Sequence, residues 1–156
     1  MRPITPAREY DAAALAALNN RFNGEGLTLP RSEGFVEAHL DDYRVMRDDD
    51  GHIVGCVCLD EYSPSLVELV SLAVDPAHHR KGLGARLIAA AVDLARKRGY
   101  PELFAVSFSG DLFQRSGFVS QDVTRYPEKK RRYDRVSDDE WTVGQKHCFV
   151  MTFGRG

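Results

Sequence analysis

Residues Lys81-Gly82-Leu83-Gly84 are the stretch of this sequence best suited to chemistry. They stand where a helix is expected to begin, so several backbone N–H groups there have no intrahelical partner and can point outward. Such a start takes phosphate oxygens. The helix dipole contributes only about 0.3–1 kcal/mol per charge, whereas a hydrogen bond to a charged acceptor is worth roughly 1.5–3 kcal/mol. The amides should therefore dominate. A dinucleotide fingerprint would need a third glycine where Leu87 stands, and a P-loop would need Gly-Lys-Ser/Thr, which is absent. Cys56, Cys58 and Cys148 make an odd count of 3 cysteines. Cys56 and Cys58 fall on one face of a predicted strand and read as reduced core thiols. His147 beside Cys148 falls short of the four ligands a zinc site wants. Asp48-Asp49-Asp50-Gly51 lies between apolar runs and reads as a hairpin turn, because the ligand pattern of a calcium loop is missing. No metal is expected.

The elements that must position the glycine loop follow from periodicity. An apolar run, residues 66–74, is a strand that Asp75-Pro76 ends, since proline removes a ladder donor and restricts the residue before it. Leu87, Ile88, Ala91, Val92 and Ala95 recur at helical spacing after the loop, and Gly99 stops that helix. Upstream, Arg2-Pro3-Ile4 predicts a short first strand. Thr5 should cap a helix with Pro6 at its first position and Leu15, Leu18 and Phe22 on one face. Ser32 should cap a second helix carrying Phe35, Val36 and Leu40. Strands over residues 43–46 and 53–59 join the run at 66–74 in an antiparallel meander. Residues 103–108 form the next strand, parallel to 66–74 across the helix. A short helix at 110–116, a strand opened by Phe118-Val119 and a last strand at 146–153 complete the chain.

With 156 residues and a net charge of −2, the chain fits one domain spanning 1–156 and has no global field for nucleic acid or an anionic membrane. No leader is expected at the N-terminus, and no stretch reaches the length of a membrane span. The basic run Tyr126 to Arg135 is followed by Asp138-Asp139-Glu140, which argues against a nucleic-acid arm. A cytoplasmic location is expected.

The loop, with its preceding strand, its following helix and the later Phe113-Gln114-Arg115-Ser116-Gly117-Phe118, resembles the pyrophosphate-binding motif of the GNAT acetyltransferase superfamily, Arg/Gln-x-x-Gly-x-Gly/Ala. The match is His79-Arg80-Lys81-Gly82-Leu83-Gly84, with His79 where Arg or Gln is usual. The resemblance implies an α+β GNAT fold, a mixed and mostly antiparallel sheet of about seven strands flanked by helices, with strands four and five parallel and splayed. It implies acetyl-CoA as cosubstrate, met by Leu72, Ala73, Val74, His79, Arg80, Lys81, Gly82, Leu83, Gly84, Ala85, Ser107 and Phe113. Phe113 stands where many family members carry a Tyr that protonates the leaving thiolate. Ser107 or Ser109 could replace that donor, or the thiolate leaves unprotonated.

Leu29-Pro30-Arg31-Ser32-Glu33, Ile53-Val54-Gly55-Cys56, Glu68 to Val74, Leu103 to Val106 and Tyr126 to Tyr133 look like the acetyltransferase domain of bacterial N-acetylglutamate synthases. The end departs, with Gln145-Lys146-His147-Cys148 where those enzymes tend to carry Gln-Arg-Arg-Ser. The likeness implies acetyl transfer to the α-amine of a small acidic amino acid, L-glutamate foremost, the first step of arginine biosynthesis. An amine is largely protonated at neutral pH, so a base must take its proton and donors must hold the oxyanion. Glu68, read as lying at the open end of its strand, is the expected catalytic base, directly or through a water. A backbone amide near Ala73 or Val74 is the expected oxyanion contact. Arg31 and Lys146 are the expected cations for the substrate carboxylates. The alternatives are an acetyltransferase for another amine, such as another amino acid or a protein N-terminus, and a CoA-binding regulatory module with weak turnover. The expected partners are a small-molecule amine, without nucleic acid or membrane, and a homodimer is left open.

Overall fold

The structure, a computed structural model, describes residues 3–20, 32–78, 82–107, 110–121 and 147–153. Its first strand, β1 (Thr5–Pro6), lies on the sheet edge and pairs with Val45 and Arg44. Thr5 therefore does not cap a helix. Proline is tolerated at an edge, where its missing N–H faces no neighbour. A 3₁₀ turn at Glu9–Asp11 leads instead into α1 (Ala12–Asn20), and the Asp11 carboxylate accepts from the Arg8 amide at 2.7 Å. The predicted position of Phe22 lies outside the described residues. Ser32 does cap α2 (Glu33–Ala38), its hydroxyl accepting from the Phe35 amide at 3.0 Å.

β2 (Tyr43–Arg47), β3 (Ile53–Ser63) and β4 (Leu66–Val74) form the expected meander, with β3 longer than its apolar core predicted. In the turn between β2 and β3 the Asp48 carboxylate accepts from the Asp50 and His52 amides, each at 2.9 Å. That carboxylate serves the turn itself. α3 (Leu83–Lys97) crosses to β5 (Glu102–Ser107), which runs parallel to β4. α4 (Gly110–Arg115), β6 (Val119–Gln121) and β7 (His147–Thr152) follow. Among the described residues the sheet has seven strands in the order β1-β2-β3-β4-β5-β7-β6, all neighbours antiparallel except β4 and β5. Among the described residues no helix is long and apolar enough to cross a membrane.

The two faces of the sheet bury separate cores. The expected stripe of α3, Leu87, Ile88, Ala91, Val92 and Ala95, packs with Val57, Leu69, Leu103, Phe113 and Phe149 on one face. α1 and α2 cover the other with Leu15, Leu18 and Val36 against Val45, Cys56, Cys58 and Val70. Cys56 and Cys58 share that face as predicted, and all three cysteines are free and buried.

Candidate active site

The site is built where β4 and β5 part. Their pairing consists of three rungs, Leu66 with Glu102, Val67 with Leu103 and Glu68 with Phe104, although β4 continues to Val74 and β5 to Ser107. Beyond Glu68 the two strands diverge, and α3 begins on the side toward which both strands run. Glu68 sits at the closed corner of this wedge, in the last shared rung. It is not at the open end, the position read from the sequence. It is 2% exposed.

The divergence has a local cause. On β4, Val70 pairs with Cys58 and Ala73 with Cys56, so Ser71 and Leu72 together oppose Val57. This is a β-bulge, which bends its strand and leaves an extra residue out of the ladder. Ser71 takes φ +55°, the one described non-glycine residue in the left-handed region. Its carbonyl accepts a thiol contact from Cys56 Sγ at 3.2 Å, and the Tyr43 hydroxyl lies 3.4 Å from Ser71 Oγ. The bulge also reverses the alternation of side chains. Val70 and Ala73 face the α1 side, whereas Leu72 and Val74 pack toward α3. At about 3.3 Å per residue, Ser71 lies roughly 10 Å beyond Glu68 and Ala73 roughly 16 Å.

Two residues join Glu68 that sequence reasoning did not single out. The Tyr62 hydroxyl donates to Glu68 Oε1 at 2.7 Å. Asp60, 6% exposed, is the cross-strand partner of Glu68, which sets two buried carboxylates on one face of the sheet. Asp60 was not legible: the tight turn at Pro64-Ser65 alone would set Glu61 opposite Glu68, and the irregularity at Tyr62 brings Asp60 there instead. Cys56, on the same face, is not a nucleophile: burial pushes its thiol up to about 12, and the thiolate is the reactive form.

At the phosphate end, Gly82 caps α3 with φ +71° and open space where a Cβ would be. Gly84 differs, since a Cβ there would lie 3.2 Å from Leu112 Cδ2 of α4. Ala85 is exposed and Leu83 buried. Gly82 and the first turn of α3 follow the end of β4 toward which the wedge opens, an arrangement that fits a cosubstrate with phosphates at one end and a thioester at the other. Ser107 ends β5 at the mouth of the wedge and pairs with His147. The Phe113 ring is core: it is 2% exposed, stacks on Phe149 at 5.6 Å and meets Phe118 edge-on at 5.2 Å. His79, Arg80, Lys81, Arg31 and Lys146 lie outside the described residues.

The sequence pattern of the acetyltransferase (GNAT) family matches residues 13–118. The chain belongs to that family. Membership makes it an acetyl-CoA-dependent N-acetyltransferase, and the splayed pair of parallel strands is the architecture the sequence implied. This GNAT chain is 31% identical over 126 residues to an uncharacterised N-acetyltransferase of Chlorobaculum tepidum, covering 81% of both chains. It is 32% identical over 131 residues to an amino-acid acetyltransferase of Neisseria meningitidis, covering 83% of this chain but 30% of that enzyme. It therefore spans under a third of that relative's length. A solved N-acetylglutamate synthase of Neisseria gonorrhoeae, complexed with coenzyme A and N-acetyl-glutamate, superposes with a TM-score of 0.82 at 30% identity, over 98% of this chain and 35% of that one.

Proposed function

We propose that this GNAT chain acetylates the α-amine of a small acidic amino acid, with L-glutamate the leading acceptor, in the cytoplasm and as the entry to arginine biosynthesis. The observation that carries the catalytic part is a carboxylate, Glu68, buried at the corner where β4 and β5 separate. Glu68 takes the proton of the acceptor ammonium, directly or through a water, and frees the nitrogen lone pair. The oxyanion that forms on the acetyl carbonyl needs donors near that same corner. The bulge amides of Ser71 and Leu72 are better placed for this than those of Ala73 and Val74, which lie farther along the strand. The Ser107 hydroxyl at the mouth of the wedge supplies a proton to the departing sulfur, a role Phe113 has no hydroxyl to fill. Gly82 to Gly84 and the basic residues before them hold the pyrophosphate. Arg31 and Lys146 pair with the two acceptor carboxylates, since a carboxylate leaves water only for a partner. Identity near 30% to amino-acid acetyltransferases supports the choice of acceptor.

One observation favours a second acceptor class. Asp60 adds a carboxylate beside Glu68, which suits an amine with no acidic group close by, such as a peptide N-terminus. A thiol-release assay across glutamate, aspartate, glutamine, other amines and a short peptide decides between them. Glutamate should give the highest kcat/KM, and Arg31→Ala should raise its KM at least about tenfold while KM for acetyl-CoA stays put. Turnover confined to the peptide would remove the acidic amino acid as acceptor. Glu68→Gln should lower kcat/KM by roughly 10²–10⁴-fold with acetyl-CoA affinity kept.

A further inference from the structure

We propose that Tyr62 is a positioning residue for the base: its phenol holds one oxygen of the Glu68 carboxylate and so turns the other toward the acceptor amine. The inference rests on the reading of Glu68 as the base. Tyr62 Oη stands 2.7 Å from Glu68 Oε1, and a phenolic O–H facing a carboxylate donates. The ring is fixed as well. It meets Phe104 edge-on, with centroids 5.4 Å apart and planes at 75°, and Phe104 is the residue of β5 directly beside Glu68. Tyr62 reaches this place because β3 is irregular there: Glu61 pairs with Val67 and Ser63 with Leu66, so Tyr62 is the extra residue of a second bulge. A regular strand would have given it a fixed cross-strand partner. Here it leans over the sheet to Glu68.

A glutamate side chain has three free torsions, and a base displaced by about 1 Å can lose roughly a hundredfold in rate. The hydrogen bond to Oε1 restricts that freedom and fixes how the carboxylate is turned. Among the described residues, the ionisable groups on the flanking strands at this level are Tyr62 and Asp60 of β3. β5 contributes the hydrocarbon ring of Phe104, with Glu102 two residues earlier on the same face. Removing the phenolic hydrogen would leave the Glu68 carboxylate beside Asp60 with one donor fewer.

Tyr62→Phe keeps the ring and deletes only the hydroxyl. Thiol release with the best acceptor, followed over about pH 5–9, should show kcat reduced roughly 10–100-fold, KM for acetyl-CoA unchanged and the acid limb of kcat/KM moved to higher pH. In a Glu68→Gln background the same change should have no further effect. The proposal is overturned by an unchanged kcat and an acid limb that stays in place, or by an equal loss in the Glu68→Gln background. Full activity of Glu68→Gln alone would instead remove the base assignment, and Tyr62 would lose its role with it.

Discussion

At the residue scale, the best-defined polar contact away from the wedge is the fork between Arg47 of β2 and Asp11 ahead of α1. Arg47 Nη1 donates to Asp11 Oδ1 at 3.1 Å and Nη2 to Oδ2 at 2.6 Å, and Asp11 is 3% exposed. Burial pushes the Asp11 carboxyl up, but the Arg47 hydrogen bonds and the Arg8 amide outweigh it, and the net direction is down. A carboxylate with a depressed folded value adds stability that is full above its unfolded value and is lost as pH falls through the folded one. Asp11→Ala should thus cost about 2–4 kcal/mol at neutral pH, because it strands a largely buried guanidinium. The difference from the parent should shrink below about pH 4. Urea unfolding of both proteins at pH 7 and pH 3 measures it, and an equal gap at both would mean the fork adds nothing. Single residues were also where the sequence was least legible. Nothing in Val70-Ser71-Leu72 announces a left-handed residue, since no glycine stands there. The Tyr62–Glu68 bond depends on a bulge that no local pattern encodes. Glu68 itself was legible as a strand carboxylate, but its place at the corner depends on where two strands stop pairing.

At the element scale, periodicity placed most of the elements, although Leu40 lies in a 3₁₀ turn beyond the end of α2. The apolar stripe of α3, the Ser32 cap of α2 and the ends of β4 emerged as read, because each rests on contacts within a few residues. Thr5-Pro6 misled for the opposite reason: the pairing with Val45 and Arg44 is a distant contact that overrode a local helix signal. Glycines separate the elements by mechanism. A Cβ at Gly55 would lie 2.9 Å from Leu87 Cδ1, so β3 and α3 approach too closely for a side chain. Gly55→Ala should therefore cost about 1–3 kcal/mol by overpacking. Gly82→Ala meets no atom but must hold φ +71°, a cost of roughly 1–2 kcal/mol. Gly84→Ala should cost least, since the tip of Leu112 can shift a few tenths of an ångström. Thermal melts should rank the three in that order. Calorimetric titration with acetyl-CoA should show weakened binding for Gly82→Val, and unchanged affinity there would dissociate the α3 start from the pyrophosphate.

At the scale of the whole molecule, β7 closes the structure. It lies between β5 and β6, pairs with both, and buries Cys148, Phe149 and Val150. Phe149 joins the core shared by α3 and α4. Phe149→Ala should cost about 3–5 kcal/mol, and a chain ending at residue 146 should lose its cooperative unfolding transition in a urea titration. A cooperative transition in that truncated chain would show that the meander and α3 suffice alone. Seven strands were legible in the sequence, but the insertion of the last between the fifth and sixth was not, since apolar periodicity does not encode strand order.

The same insertion has a consequence in time. On a ribosome β5 is complete once residue 107 has been made, yet the strand that satisfies its outer edge starts at residue 147. At about 5–20 residues per second, that edge of the nascent sheet waits roughly 2–8 s for its partner. β6 is synthesised in the interval, but among the described residues its partner is β7 and not β5. For those seconds the half-made wedge presents an open strand to its neighbours on the polysome, and a slow codon between residues 107 and 147 would prolong the exposure.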